Sequence, residues 1–164
     1  MTTIQADHFT EAIRGMLDET FDNVHGYYLD RGTSFFETLA DVSAEEASIP
    51  VGGQCATLAA QVKHVAFYLD VIEQNVRSGT YGSVDWGEIW RTVSAVTPEE
   101  WAAIQDELRA GYERILKLLD ETQVWPDAFH VGGALATVVH TAYHLGEVRQ
   151  ALCVLKPERS GEGE

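Results

Sequence analysis

Four stretches of this chain repeat apolar residues at the 3.6-residue helical period, and none alternates them usefully at the two-residue period of a strand. The first runs from Thr3 to about Asn23, with Ile4, Phe9, Ile13, Met16, Leu17 and Phe21 near one face. The second runs from about Gln54 to about Arg77, with Leu58, Gln61, Val62, Val65, Leu69 and Ile72 as its stripe and His64 at the border. The third has the plainest start: Thr97 caps, Pro98 takes the first helical position and Glu100 closes the capping box. It continues to about Glu121 on Trp101, Ile104, Leu108, Tyr112, Ile115 and Leu119, with Glu107, Arg109, Glu113, Arg114 and Lys117 as its solvated face. The fourth runs from about Val131 to Leu155 and is stopped by Pro157. Helices that each carry one apolar stripe bury those stripes against one another. The chain is therefore expected to be all-α, a four-helix bundle in one domain over residues 1–157, with the polar, glycine-rich residues 158–164 as a disordered tail.

The connections carry their own signals. Ser34-Phe35-Phe36-Glu37 and Ser43-Ala44-Glu45-Glu46 both fit the capping box, so short extra helices are expected in the first connection. Trp86-Gly87-Glu88-Ile89-Trp90 reads as a turn or short helix. Its two tryptophans are expected to cover one end of the core, with a pocket lining as the alternative.

The formal charge of −15 excludes two classes of partner. A chain this acidic repels phosphate backbones and anionic membranes, so no nucleic acid and no membrane is expected. The start lacks a basic and an apolar region, no apolar run is long enough to span a bilayer, and Cys55 and Cys153 form no C-x-x-C. Two reduced thiols in a cytoplasmic protein are the expectation.

Chemistry concentrates in Ala136-Thr137-Val138-Val139-His140-Thr141-Ala142-Tyr143-His144-Leu145-Gly146-Glu147-Val148-Arg149-Gln150. His140 and His144 are four residues apart, so on a helix they share one face and can aim at one point. Two histidines do not complete a site. His64 is the only other histidine inside a long helical pattern, and the stripes of the second and fourth helices turn it toward the pair. Three neutral imidazoles suit nickel, zinc or copper rather than magnesium or calcium, and leave a position open for water or substrate. The bland alternative is three hydrogen-bonded core histidines. His25, in the aromatic connector His25-Gly26-Tyr27-Tyr28-Leu29, is a fourth histidine able to approach from a loop; His130 follows, and His8 reads as surface.

With these residues in hand, the chain resembles the DinB-like superfamily, also called YfiT-like putative metal-dependent hydrolases. The resemblance rests on Gly32-Thr33-Ser34-Phe35-Phe36-Glu37-Thr38-Leu39 with Ser43-Ala44-Glu45-Glu46-Ala47, on Gln61-Val62-Lys63-His64, on Pro98-Glu99-Glu100-Trp101, and on Tyr143-His144-Leu145-Gly146-Glu147-Val148. The last is similar to the family's Tyr-His-x-Gly-Gln-Ile signature, with Glu147 where Gln is commoner. The resemblance implies a four-helix bundle, often dimeric, with nickel or zinc held by His64, His140 and His144. It also implies either hydrolase chemistry or thiol S-transfer with a low-molecular-weight thiol.

Either chemistry needs a group beside the ion. Glu147 lies three residues after His144, as a partner for an imidazole N–H, an acid–base group, or a salt bridge to Arg149. Gln61, three residues before His64, is a second candidate for holding an imidazole, and Tyr143 is expected at a helix interface. The expected partners are a small-molecule substrate and a second copy of the chain, with Tyr27, Tyr28, Phe35 and Phe36 as interface anchors.

Overall fold

The computed structural model describes residues 4–52 and 55–156. Its helices are α1 Ala6–Phe21, α2 Phe35–Leu39, α3 Ala44–Ala47, α4 Leu58–Ser78, α5 Glu88–Thr92, α6 Pro98–Glu121 and α7 Ala128–Leu155. Among the described residues there is no strand, only an isolated antiparallel bridge between Pro50 and Thr57. The architecture is all-α, with α2 and α3 in the first connection. The expected tail 158–164, the stop at Pro157 and the starts assigned to Thr3 and Gln54 lie outside the described residues.

The helix starts follow local capping chemistry. Ser34 with Glu37, Ser43 with Glu46 and Thr97 with Glu100 each form both arms of a capping box. Two expected boundaries are corrected by caps. The second long helix begins at Leu58 because the Thr57 hydroxyl accepts from Ala60 N–H while itself donating to the Ser94 carbonyl. The fourth begins at Ala128, three residues before Val131, because the Asp127 carboxylate accepts from Phe129 and His130 N–H.

The end of α1 has a different cause. The helix stops at Phe21 rather than Asn23, and the chain turns back over it through His25–Leu29. The Glu19 side chain accepts from the backbone N–H groups of His25, Tyr27, Tyr28 and Leu29 at 3.0, 2.8, 2.6 and 2.7 Å. The residue is 0% exposed. Four donors replace the water that this carboxylate gives up, and they hold its pKa at about 2 against the opposing effect of burial.

The core runs between α4, α6, α7 and α1. Helix α4 packs on α6 and α7, and α1 packs on α7 and α6. The whole expected stripe of α6 is buried. The α4–α6 approach depends on Gly111, where a Cβ would meet the Leu69 Cβ at 3.3 Å. Phe21 stacks on Phe35 and Tyr112, with ring centroids 5.4 and 4.8 Å apart. Phe35 is 0% exposed, so it is a core residue of its own chain rather than an interface anchor. Trp101 Nε1 donates to the Val42 carbonyl at 2.7 Å, fastening the α2–α3 connection to α6.

Helix α7 is apolar nearly all round, and Val139 and Tyr143 lie 67% and 60% exposed on its outer side. Tyr143 is thus at no helix interface within this chain. Cys55 and Cys153 are free and exposed. No described helix is long and apolar enough to cross a membrane.

Candidate metal centre

Helix α4 presents His64 toward α7, and α7 presents His140 and His144 on one face, one turn apart. The ring centroids of His64 lie 5.3 Å from His140 and 4.8 Å from His144, and those of His140 and His144 lie 4.6 Å apart. One ring nitrogen from each falls within 4.8 Å of the other two. His64 and His144 are buried and His140 half-buried.

The unpartnered atoms distinguish a ligand set from core packing. Buried imidazole nitrogens in a packed core find hydrogen-bond partners. Here His64 Nδ1 and His140 Nε2 are buried and have none. His144 Nδ1, by contrast, lies 2.8 Å from Glu147 Oε2 and 2.9 Å from Gln61 Oε1. A carboxylate can only accept, so Nδ1 carries the proton and Nε2 keeps its lone pair for the space between the rings. The donor set, three imidazole nitrogens freed or oriented in this way, fits a divalent ion.

Electrostatics keeps these rings neutral. Burial is the largest cause that pushes His64 down to about 4, reinforced by the nearby His144 and His140 and opposed by Glu147. Burial likewise pushes His140 down to about 4, with His144 adding to it. Burial also lowers His144, against the pull of Glu147. Neutral imidazole is the form that binds a metal.

Aromatic rings enclose the cluster. Tyr68 stacks on His140 with centroids 3.9 Å apart and planes 26° apart. Trp90 lies 4.6 Å and Trp86 6.3 Å from His64, and Trp86 meets Phe67 at 5.7 Å. Both tryptophans remain 40% exposed, so they wall the histidine cluster instead of covering one end of the core. Helix α5, short as expected, carries Trp90 into this position. A groove of about 480 Å³ flanks the cluster, lined in part by Cys55, Gln61, Tyr143, Glu147 and Gln150.

The other expected partners fall into place or away. Glu147 makes no ion pair with Arg149; its Oε1 accepts from the Tyr143 hydroxyl at 2.6 Å while Oε2 holds His144. Gln61 also holds His144, not its own-helix neighbour His64. His25 is bound to Asp18 and His130 to Asp127, both outside the cluster, and His8 is exposed. Tyr68, absent from the sequence-based site, had a readable signal: it lies four residues after His64, on the same helical face.

Against known proteins, the chain matches no family model, no curated protein and no solved structure.

Proposed function

We propose that this chain is a divalent-metal protein of the DinB-like kind, with His64, His140 and His144 holding nickel or zinc, and that it acts as a metal-dependent hydrolase or thiol S-transferase. The observation that carries the reading is the pair of buried, unpartnered nitrogens, His64 Nδ1 and His140 Nε2, beside a His144 whose Nδ1 is already committed. Among the described residues no other group of three or more ligand-type side chains converges in this way.

A divalent ion held by His64, His140 and His144 would supply Lewis acidity, lowering the pKa of a water or thiol beside it toward neutral. The chain supplies the rest. Glu147 is a positioning residue: its carboxylate fixes the tautomer and direction of the His144 ring, and Tyr143 fixes the carboxylate. Gln61 braces the same N–H from α4. Tyr68, Trp86 and Trp90 exclude water from the imidazoles and offer flat apolar faces to a small-molecule substrate. The flanking groove offers an approach that passes Glu147 and Gln61.

A second copy of the chain is the proposed macromolecular partner. The exposed outer side of α7, with Val139 and Tyr143, supports this better than the aromatic connector after α1. Light scattering at micromolar concentration should give twice the chain mass.

The test of function is metal analysis of the purified protein. It is followed by turnover of a panel of low-molecular-weight thiols with electrophiles, and of esters and amides. One equivalent of nickel or zinc with turnover that disappears in His144→Ala supports the proposal. One equivalent without turnover on any pair leaves a non-catalytic metal-binding protein, and no metal at all overturns both.

A further inference from the structure

A second cavity lies between the long helices, toward the ends of α4 and α6 and the start of α7, and shares none of the three histidines. Its volume is about 190 Å³, and its walls come from all four long helices: Leu17 of α1, Ile72 of α4, Ile115 of α6, and Ala134 and Thr137 of α7. It reaches the surface at Tyr81, Val124 and Phe129, which are 54%, 69% and 59% exposed. The rings of Tyr81 and Phe129 meet edge to face there, 4.8 Å apart.

Away from the rim at Tyr81 and His130, the side-chain polar groups in these walls are already committed. The Thr137 hydroxyl donates to the Gly133 carbonyl at 2.9 Å, and the Thr122 hydroxyl to the Leu118 carbonyl at 2.8 Å. Trp125 Nε1 donates to Thr10 Oγ1 at 3.0 Å. His130 stands at the rim with Nδ1 bound to Asp127. An ordered water needs two to four polar partners, and these walls present no uncommitted donor in the interior. Apolar cavities of about 150 Å³ stay dry and accept a molecule the size of benzene.

We infer that this cavity is a binding site for a small uncharged apolar molecule of about one aromatic ring. The site is separate from the metal centre, yet adjoins it. Thr137 lines the cavity and lies three residues before His140 on α7, against whose ring Tyr68 stacks. The cavity shares no lining residue with the groove beside Glu147, so a ligand in one leaves the other free.

Toluene is a suitable probe, titrated into the full chain by calorimetry and followed in methyl NMR spectra. Binding at a Kd of about 0.1–1 mM is expected, from the affinity range open to a seven-atom apolar ligand. Shifts should be largest at methyls that line the cavity, among them those of Ile13, Leu17, Ile72, Ile115 and Ala134. Benzoate and benzylamine should bind at least about tenfold more weakly, because a buried charge would find no partner. Ala134→Leu, which fills the cavity from α7, should weaken toluene about tenfold or more while keeping the helical circular dichroism. His144→Ala should bind toluene like the wild type, which separates this site from the metal reading. Absence of binding to the wild type up to toluene saturation would overturn the inference, as would methyl shifts centred on Ile89, between Trp86 and Trp90, or equal affinity for the charged analogues. The wild-type spectra decide the matter even if Ala134→Leu does not fold.

Discussion

Replacing Glu19 with Gln should destabilise the chain far more than its position at the end of α1 suggests. The Glu19 carboxylate accepts four backbone N–H groups from residues 25–29 and is fully buried. Both oxygens are used twice: Oε2 by His25 and Tyr27, Oε1 by Tyr28 and Leu29. A glutamine of the same shape keeps one carbonyl oxygen, which serves two donors. Its NH2 then faces the other two N–H groups, donor against donor. Two charge-assisted bonds are lost at about 1.5–3 kcal/mol each, so the cost is about 3–6 kcal/mol. For a chain of this size that corresponds to a Tm lower by about 10 °C. Urea unfolding followed by circular dichroism measures it, with exposed Glu11→Gln as a control expected within about 0.5 kcal/mol of wild type. The pH dependence gives a second check. A carboxylate whose folded pKa is depressed from 4.5 to about 2 contributes stability that is present above 4.5 and is lost as pH falls toward 2. The gap between wild type and Glu19→Gln should therefore narrow on acidification through that window. A variant within about 1 kcal/mol of wild type at pH 7, or a gap that widens in acid, would refute the reasoning.

Four further outcomes are expected. Glu147→Gln should weaken metal binding about 10–100-fold in a competition titration while leaving the fold intact, because His144 loses the carboxylate that orients it. Metal release should begin at a lower pH than free histidine would give: with His64 and His140 near 4 in the metal-free chain, protons compete poorly above pH 5, and loading followed by metal analysis should fall only toward pH 4. The same depressed values mean that the metal-free fold loses stability as pH falls from about 6.5 toward 4, since the unfolded chain binds more protons there. Gly111→Leu should cost about 1–3 kcal/mol in thermal unfolding, because even a Cβ at this position crowds Leu69 across the α4–α6 contact.

The long helices were legible because their apolar residues recur at helical spacing over many turns, and α6 adds a cap in its own sequence, whereas Gln5 gives α1 no side-chain cap. Thr97-Pro98-Glu99-Glu100 places the start of α6 at Pro98, and the stripe from Trp101 to Leu119 is buried as a unit. The convergence of His64, His140 and His144 was also legible, since four-residue spacing fixes two of them and helix pairing brings the third. What escaped depends on contacts distant in sequence. Nothing local marks Glu19 as the acceptor of four loop donors, and its place on α1 reads as ordinary helix surface. The wall formed by Trp86 and Trp90 was only the alternative reading, because a short helix in a connection can fold onto either the core or a site, and periodicity over five residues does not choose. Tyr143 was misplaced because α7 is apolar on its outer side as well as its inner one, so its pattern does not say which face turns outward.

The most direct test of the central claim is X-ray absorption at the zinc or nickel edge of the metal-loaded chain, beside His144→Ala. Three imidazole nitrogens at about 2.0–2.1 Å, with the remaining position filled by oxygen, are expected for zinc in the wild type, and stoichiometric metal should be absent from the variant. Sulfur at about 2.3 Å in place of an imidazole nitrogen, or a His144→Ala protein that still holds one equivalent in an unchanged coordination shell, would contradict the assignment of His64, His140 and His144 as the ligands.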